Sequence, residues 1–176
     1  DAQVASLRTE QLAAFETRDV VAMNANQFAA MTTAQVAGLT VGQIAVAETR
    51  DIAGWSADQV KALTTDQVVA MTQSQVASLS ADQLSGLSTT QIAVIETADL
   101  VSMSTAQYAV LQSDQLRALT DTQIQAIETR DINALSQDQI SSLQTTQVAA
   151  MSTLQMSKIG SQQLTGLTSA QLQAIA

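Results

Sequence analysis

Apolar and polar positions recur along the whole chain with a period of eight residues. Glutamine or aspartate occupies position 3 and every eighth position after it up to Gln171, and the four aspartates are Asp19, Asp51, Asp99 and Asp131. The next residue is always apolar, a second apolar residue follows three positions later, and Ser or Thr is favoured after that. The chain is therefore 22 copies of one octapeptide, [Leu/Met/Ile]-[Ser/Thr]-x-x-Gln-[Val/Ile/Leu]-x-x. A repeat this strict indicates a repeat architecture.

A single long helix does not suit this pattern. Eight residues turn an α-helix by about 800°, roughly 80° beyond two full turns, so the apolar pair would wind around the helix and leave no apolar face. A strand does not suit it either, because apolar spacings of three and five break the alternation of a half-buried strand. Each octapeptide must therefore contain its own short helix.

The start of that helix can be read from the polar positions. In Leu63-Thr64-Thr65-Asp66-Gln67-Val68, a threonine at the N-cap places Gln67 at the third helical position. That spacing is typical of a capping box, and Leu63 and Val68 then occupy the two positions of a hydrophobic staple. The pattern predicts one helix of about two turns per octapeptide, separated from the next by a single residue.

Helices this short need neighbours, since isolated helices below about 12–15 residues are marginal in water. The positions before the staple leucine are mostly Ala or Gly, as at Ala37-Gly38, which allows short helices to approach closely. We therefore predict an all-α solenoid with an apolar axis and a single domain over residues 1–176. Two octapeptides per coil is the expected arrangement, which with helices about 8–10 Å apart gives eleven coils spanning roughly 100 Å.

Four octapeptides depart from the consensus, and they define a longer period. Their N-cap position holds Glu, followed by Thr-Arg-Asp three times and Thr-Ala-Asp once. Successive members lie four, six and four octapeptides apart, which relates residues 16–95 to residues 96–175 as two copies of a ten-octapeptide unit. We call these four segments the charged corners. Their residues are the candidate site residues of the chain: Glu16, Arg18, Asp19, Glu48, Arg50, Asp51, Glu96, Asp99, Glu128, Arg130 and Asp131.

Two interpretations of the charged corners remain open. Glu16 and Asp19 could bind a cation, although calcium sites usually gather more oxygen ligands, often around a glycine turn. The corner could instead be a modified helix start, in which Thr17 caps the helix and Arg18 pairs with the nearby carboxylates, and the sequence favours this. Likewise, the glutamine column could face a ligand, but a capping role already uses each glutamine locally.

Composition narrows the function further. The formal net charge is −9 and the sequence has no Cys, His or Pro. The acidic balance argues against a nucleic-acid partner, and no apolar run is long enough for membrane insertion. No nucleophile–base pair, phosphate loop or metal-ligand spacing occurs. We therefore expect no catalytic residues, no cofactor-binding or metal site and no cofactor, and hence a protein that is not an enzyme.

The octapeptide also carries a resemblance. Its Leu-Thr-x-x-Gln-[Ile/Val]-x-x-Leu pattern resembles the repeat tracts of large repetitive bacterial surface or secreted proteins, including adhesin-like ones, and the likeness covers the whole chain. The resemblance implies a structural scaffold or spacer, located outside the cell or on the bacterial surface. The alternative is a solenoid that binds a protein or a glycan. Because neither end has a polar cap, we also expect a longer array, flanking domains or end-to-end self-association.

Overall fold

A computed structural model describes residues 2–175, apart from the side chain of Ala2. Within that range the fold is entirely helical, with one helix per octapeptide and no strand. No residue of this range has a positive φ. The helices are α1 Ala2–Ala5, α2 Thr9–Ala13, α3 Thr17–Val21, α4 Ala25–Ala29, α5 Thr33–Ala37, α6 Val41–Val46, α7 Thr49–Ala53, α8 Ala57–Lys61, α9 Thr65–Val69, α10 Gln73–Ala77, α11 Ala81–Gly86, α12 Thr89–Ala93, α13 Thr97–Ser102, α14 Thr105–Val110, α15 Ser113–Ala118, α16 Asp121–Ala126, α17 Thr129–Ala134, α18 Gln137–Ser142, α19 Thr145–Ala150, α20 Thr153–Met156, α21 Ser161–Leu164 and α22 Ser169–Gln173.

The capping box explains where most of the helices begin. Thr64, with an extended backbone at φ −73° and ψ 161°, accepts the N–H of Gln67 on its hydroxyl. The Gln67 side-chain oxygen in turn accepts the Thr64 N–H at 2.8 Å. The helices are shorter than the two turns predicted, with only four to six residues each. The N-cap residue and the staple residue before it both lie outside the helix, so more than one residue of each octapeptide is non-helical.

The apolar slots of the octapeptide form one continuous core. We call the residue directly after the Gln or Asp the first apolar slot and the residue three positions later the second. First-slot side chains are buried from Val4 to Val148, and second-slot side chains from Met23 to Leu167. These residues belong to a single hydrophobic cluster. The predicted all-α solenoid with an apolar axis is confirmed.

The prediction of two octapeptides per coil is wrong. Helices pack against the third helix along the chain, as α7 does with α4 and α10, and α11 does with α8 and α14. Side-chain contacts between coils join residues about 27 to 31 positions apart. A coil therefore takes between three and four octapeptides, about 28 residues. The chain makes roughly six coils rather than eleven, and with layers about 8–10 Å apart it is roughly 50–60 Å long.

A coil of three to four helices leaves room for the core, which explains the difference. Two short helices per coil would have to lie face to face, whereas a wider coil encloses an axis with room for side chains such as Trp55, Phe28 and Tyr108, which are buried. Small residues keep the layers close. A Cβ on Gly86 would lie 3.1 Å from Ala57 in the preceding coil, and one on Gly38 would lie 3.1 Å from Thr9.

Candidate functional site

The glutamine column is the most regular polar feature of the interior. Every glutamine of the column from Gln35 to Gln171 is buried. Gln75 shows its role: Nε2 donates to the carbonyl oxygens of Ala47 at 2.7 Å and Ile44 at 2.8 Å in the preceding coil. Its Oε1 meanwhile accepts the N–H of the N-cap residue Thr72 at 2.8 Å. We call this arrangement the glutamine clamp.

The same clamp recurs along the chain. Each glutamine of the column from Gln35 onward donates to the carbonyl oxygen 28 residues earlier, over 2.5–3.0 Å. In every case a second carbonyl 30 or 31 residues earlier also accepts. The interpretation that this column faces a ligand is therefore wrong, because its amides point into the fold.

Clamp chemistry explains the choice of glutamine. A side-chain amide offers one oxygen acceptor and two N–H donors, whereas an ionised carboxylate only accepts. The slot needs an acceptor for its own helix start and two donors for the coil below. Sequence reasoning found the first of these roles and missed the second, since the partner carbonyls lie more than three octapeptides earlier in the chain.

The aspartate slots break the clamp. Asp51 is fully buried, and its Oδ2 accepts the Glu48 N–H at 3.2 Å, as a glutamine would. Its Oδ1 has no hydrogen-bond partner and lies 3.8 Å from the Arg50 guanidinium. Burial raises the pKa of Asp51, against the opposing effects of the Glu48 backbone hydrogen bond and of Arg50. In the described residues no side chain donates to the carbonyl of Met23, 28 positions earlier.

Asp131 is buried like Asp51, but here another side chain supplies the missing hydrogen-bond donor. Oδ1 of Asp131 accepts the Thr105 hydroxyl, and its Oδ2 is buried without a partner. The carbonyl of Leu100, 31 positions earlier, receives the Tyr108 hydroxyl at 2.8 Å instead of an amide. Burial, reinforced by the negative charges of Asp131 and Glu128, raises the pKa of Tyr108. The tyrosine thus supplies the donor that an aspartate cannot.

The other two aspartate slots differ from these. Asp99 is buried and its corner has no arginine, and burial together with the charge of Glu96 raises its pKa. Asp19 lies in the first coil, is exposed, and accepts only the Glu16 N–H at 3.1 Å. The four aspartates therefore share a position in the octapeptide but not an environment, and only Asp19 and Asp51 accept the N–H of their N-cap residue.

On the outer surface, the arginines of the charged corners pair with their own glutamates. Nitrogen–oxygen distances are 3.0 Å for Arg18–Glu16, 2.7 Å for Arg50–Glu48 and 2.8 Å for Arg130–Glu128. These side chains are largely solvent-exposed, so each pair contributes little to stability. The predicted arginine–carboxylate pairing is confirmed, but Thr17 is the first helical residue and Glu16 takes the N-cap position.

The structure separates the charged corners rather than gathering them into one site. In the described part of the chain, no three acidic side chains converge on a point where a metal ion could sit. A shallow cleft of about 470 Å³ lies beside the third of the arginine corners, lined in part by Glu128, Arg130 and Gln155. Among residues 2–175, no helix is long and apolar enough to cross a membrane.

A sequence signal for the coil period was present in the exceptions. The residue 28 positions before each buried aspartate is methionine: Met23 before Asp51, Met71 before Asp99 and Met103 before Asp131. Sequence reasoning used the duplication of the ten-octapeptide unit and overlooked this shorter spacing. Read together with the octapeptide, it would have pointed to coils of three to four repeats.

Comparison with known proteins identifies the repeat itself. A search of curated proteins found no match. The ALTTAQ repeat profile matches residues 12–46, 48–73, 92–127 and 124–158, which together make up more than half of the chain. Residues 62–67 read Ala-Leu-Thr-Thr-Asp-Gln, so the profile matches the helix start and the clamp glutamine described above. The chain belongs to the ALTTAQ repeat family.

Proposed function

We propose that this chain is a non-enzymatic structural scaffold or spacer within a large bacterial surface or secreted protein. The observation that carries the proposal is the glutamine clamp, which joins successive coils at nearly every octapeptide from Gln35 to Gln171. Such a ladder resists separation of the coils along the axis. A rod with one continuous core and a hydrogen-bonded ladder is suited to holding two attached parts at a set distance.

The outer surface supports the same role. Phe28, Trp55 and Tyr108 are buried, so they offer no aromatic anchor to a partner. In the middle of the described chain the exposed large apolar residues are valines such as Val69 and Val101, each less than half exposed. Binding surfaces usually show larger contiguous apolar patches. The small polar side chains of the outer face are suited to a spacer.

A binding solenoid is the second candidate, and the cleft beside Glu128 is the observation that favours it. The cleft offers Arg130, a guanidinium that could contact an acidic or hydroxyl-rich ligand such as a glycan or a protein loop. Because Arg130 already pairs with Glu128 at 2.8 Å, any ligand would have to compete with that ion pair.

The spacer role is tested by end-to-end distance. Fluorophores are attached at residues 10 and 154 of the chain and of a version in which residues 16–95 are duplicated in tandem. Single-molecule energy transfer then measures the distance between the fluorophores, and small-angle scattering measures the maximum dimension. A spacer predicts one narrow distance distribution and a maximum dimension that grows by nearly half. A broad distribution, or a dimension unchanged by duplication, contradicts the proposal. Saturable binding of a glycan or protein that is lost in Arg130→Ala would support the alternative.

A further inference from the structure

The slot of Asp51 holds two oxygen atoms of buried residues that lack a hydrogen-bond donor. One is Oδ1 of Asp51 itself. The other is the carbonyl oxygen of Met23, 28 positions earlier, which a glutamine in this slot would clamp; within residues 2–175 no backbone or side-chain group donates to it. The second clamp acceptor, the carbonyl of Val20, already accepts the Met23 N–H at 3.1 Å. One carboxylate oxygen and one carbonyl oxygen therefore remain unsatisfied.

The equivalent slot of the second ten-octapeptide copy repeats this shortage. Oδ2 of Asp131 is buried without a partner, and no group in the described part of the chain donates to the Met103 carbonyl, 28 positions earlier. The Leu100 carbonyl accepts the Met103 N–H at 3.0 Å and the Tyr108 hydroxyl at 2.8 Å. Two slots 80 residues apart thus share the same pair of unsatisfied acceptors, a carboxylate oxygen and a methionine carbonyl.

The length of the aspartate side chain limits what can join these two acceptors. Aspartate has one methylene fewer than glutamine, so its outer oxygen ends roughly 1.5 Å short of the amide nitrogen of a clamp. Clamp nitrogens lie 2.5–3.0 Å from the carbonyl 28 positions earlier. The carboxylate oxygen of an aspartate in this slot therefore lies roughly 4–4.5 Å from that carbonyl oxygen, which is too far for a direct hydrogen bond from a protonated carboxyl group.

One water molecule fits this separation. Two O–H···O bonds of about 2.8 Å that meet at the tetrahedral angle of water join acceptors roughly 4.5 Å apart. The methylene that aspartate lacks is also close in volume to one water molecule, about 30 Å³. Water supplies two donors, and the slot has two acceptors that need one each.

A metal ion suits the slot less well than water does. Calcium takes about six to eight oxygen ligands, many more than the two unsatisfied oxygens here. Positive charge is also already present, since the guanidinium of Arg50 lies 3.8 Å from Asp51 and that of Arg130 lies 3.5 Å from Asp131. A neutral molecule with two donors therefore matches both the number of acceptors and the charge.

We propose that the slots of Asp51 and Asp131 each bind one structural water molecule. Each water donates to the carboxylate oxygen and to the methionine carbonyl of the preceding coil, and so replaces the amide group of a glutamine clamp. Buried waters commonly satisfy polar groups in this way. These two charged corners thus join neighbouring coils through water, where other octapeptides join them through glutamine. The inference concerns the interior of the array and is independent of the spacer role.

Substitutions at Asp51 separate the length of the side chain from its charge. Asp51→Gln restores the side chain of the other slots, whose amide reaches the Met23 carbonyl directly, so the water should be expelled. Asp51→Asn keeps the short side chain and removes the charge, so the water should stay. Asp66→Gln, at an exposed position, is the matched control. High-resolution crystal structures should show a water within about 2.7–3.0 Å of both acceptors in the parent, Asp51→Asn and Asp66→Gln proteins only.

Magnetic relaxation dispersion of water deuterons and oxygen-17 counts the long-lived waters in solution. Asp51→Gln should lower the count by one, and Asp51→Gln combined with Asp131→Gln should lower it by two. Asp51→Asn and Asp66→Gln should leave the count unchanged. Because glutamine is the consensus residue of the slot, these variants should fold, which circular dichroism checks.

Three results would overturn the inference. The first is an unchanged water count in the double glutamine variant. The second is loss of the bound species in Asp51→Asn, which would assign the slot to a cation held by the carboxylate charge. The third is a carboxyl group of Asp51 that stays protonated at neutral pH, as read from its carbon-13 chemical shift, which would assign the slot to a proton.

Discussion

At the scale of single residues, the protein depends on the difference between an amide and a carboxylate. A buried glutamine satisfies its own oxygen and both of its N–H groups, as Gln75 does with Thr72, Ile44 and Ala47. A buried aspartate in the same slot satisfies one oxygen and leaves another without a partner, as Asp51 does. Interior polar groups cost stability unless they are paired, so the two side chains have opposite effects at one backbone position.

The first prediction replaces a clamp amide with a carboxylate. Gln75→Glu keeps the capping oxygen but loses both donors and directs a charge at the carbonyls of Ile44 and Ala47. We expect the free energy of unfolding to fall by about 2–4 kcal/mol, measured by urea denaturation at neutral pH. Gln11→Glu, at an exposed slot of the first coil with no carbonyl below it, is the control. Equal losses at the two positions would show that the clamp does not stabilise the fold.

The second prediction restores a clamp where the sequence lacks one. Asp51→Gln places donors opposite Val20 and Met23 and removes the unpartnered Oδ1, so it should stabilise the fold by about 1–3 kcal/mol at neutral pH. Denaturant titration provides the measurement. Asp66→Gln, at an exposed site near a helix start, is the control, and the loss of its favourable helix-dipole contact should destabilise slightly.

The stabilisation by Asp51→Gln should also depend on pH. Burial raises the pKa of Asp51 in the folded state, with Glu48 and Arg50 as its charged neighbours. The folded state therefore holds this proton more tightly than the unfolded chain. The stability it contributes is complete in acid and is lost as the pH rises from about 3.9 through the raised folded-state pKa. The difference between variant and parent should grow across that window, and a constant difference would contradict the burial argument.

At the scale of helices, each element is too short to exist alone, and most are fixed at their start by hydrogen bonds. The capping box sets the start, the staple residue before it turns the chain, and the clamp joins that start to the coil below. Local and long-range hydrogen bonds meet on one side chain, so helix formation and coil stacking are coupled. This coupling explains how helices of four to six residues persist when isolated helices of that length do not.

The third prediction concerns the exchange of one donor for another between helices. Tyr108→Phe removes the hydroxyl that donates to Leu100 and should cost about 1–2 kcal/mol. Asp131→Gln supplies an amide to the same carbonyl, so the tyrosine substitution should cost less in that background. A double-mutant cycle by urea denaturation measures the coupling. Phe28, the equivalent of Tyr108 in the first copy of the ten-octapeptide unit, shows that the slot accepts the ring without its hydroxyl. Additive effects would exclude a shared acceptor.

At the scale of the whole molecule, the array is held by contacts between neighbouring coils. Octapeptides interact with the third helix before and after them, so the register along the chain matters more than the identity of any one repeat. Stability should therefore approximate a sum of repeat and interface contributions. The charged corners interrupt the clamp at three buried slots, Asp51, Asp99 and Asp131, which lie six and then four octapeptides apart.

The fourth prediction tests the register directly. Tandem duplication of residues 63–70 inserts one whole octapeptide and should shift the melting temperature by no more than a few degrees. Duplication of residues 63–66 alone moves apolar slots to exposed positions and breaks the clamps on both sides. We expect that variant to melt at least about 10 °C lower or in two steps, as followed by circular dichroism. Similar melting of the two insertions would show that register is not maintained by the interior.

Much of this architecture could be predicted from the octapeptide, because helix starts are local. The cap, the staple and the third-position glutamine lie within one octapeptide, so the sequence alone identified the short helices, the apolar slots and the solenoid class. It also indicated the arginine–glutamate pairs of the charged corners, which join residues two positions apart. Function stayed a prediction at this stage, since a repeat without reactive groups describes a shape more than an activity.

The number of helices per coil was decided only in the tertiary structure. It depends on how wide an axis the apolar side chains require and on which carbonyls of the coil below a glutamine can reach. Because these partners lie far apart along the chain, the octapeptide did not show that the glutamines donate to the coil below. For the same reason it did not show that Asp51 and Asp131 lack such donors. The sequence by itself determined the helix starts, because their hydrogen bonds close within one octapeptide. The tertiary structure decided the coil, because its hydrogen bonds join octapeptides whose separation along the chain is set by packing.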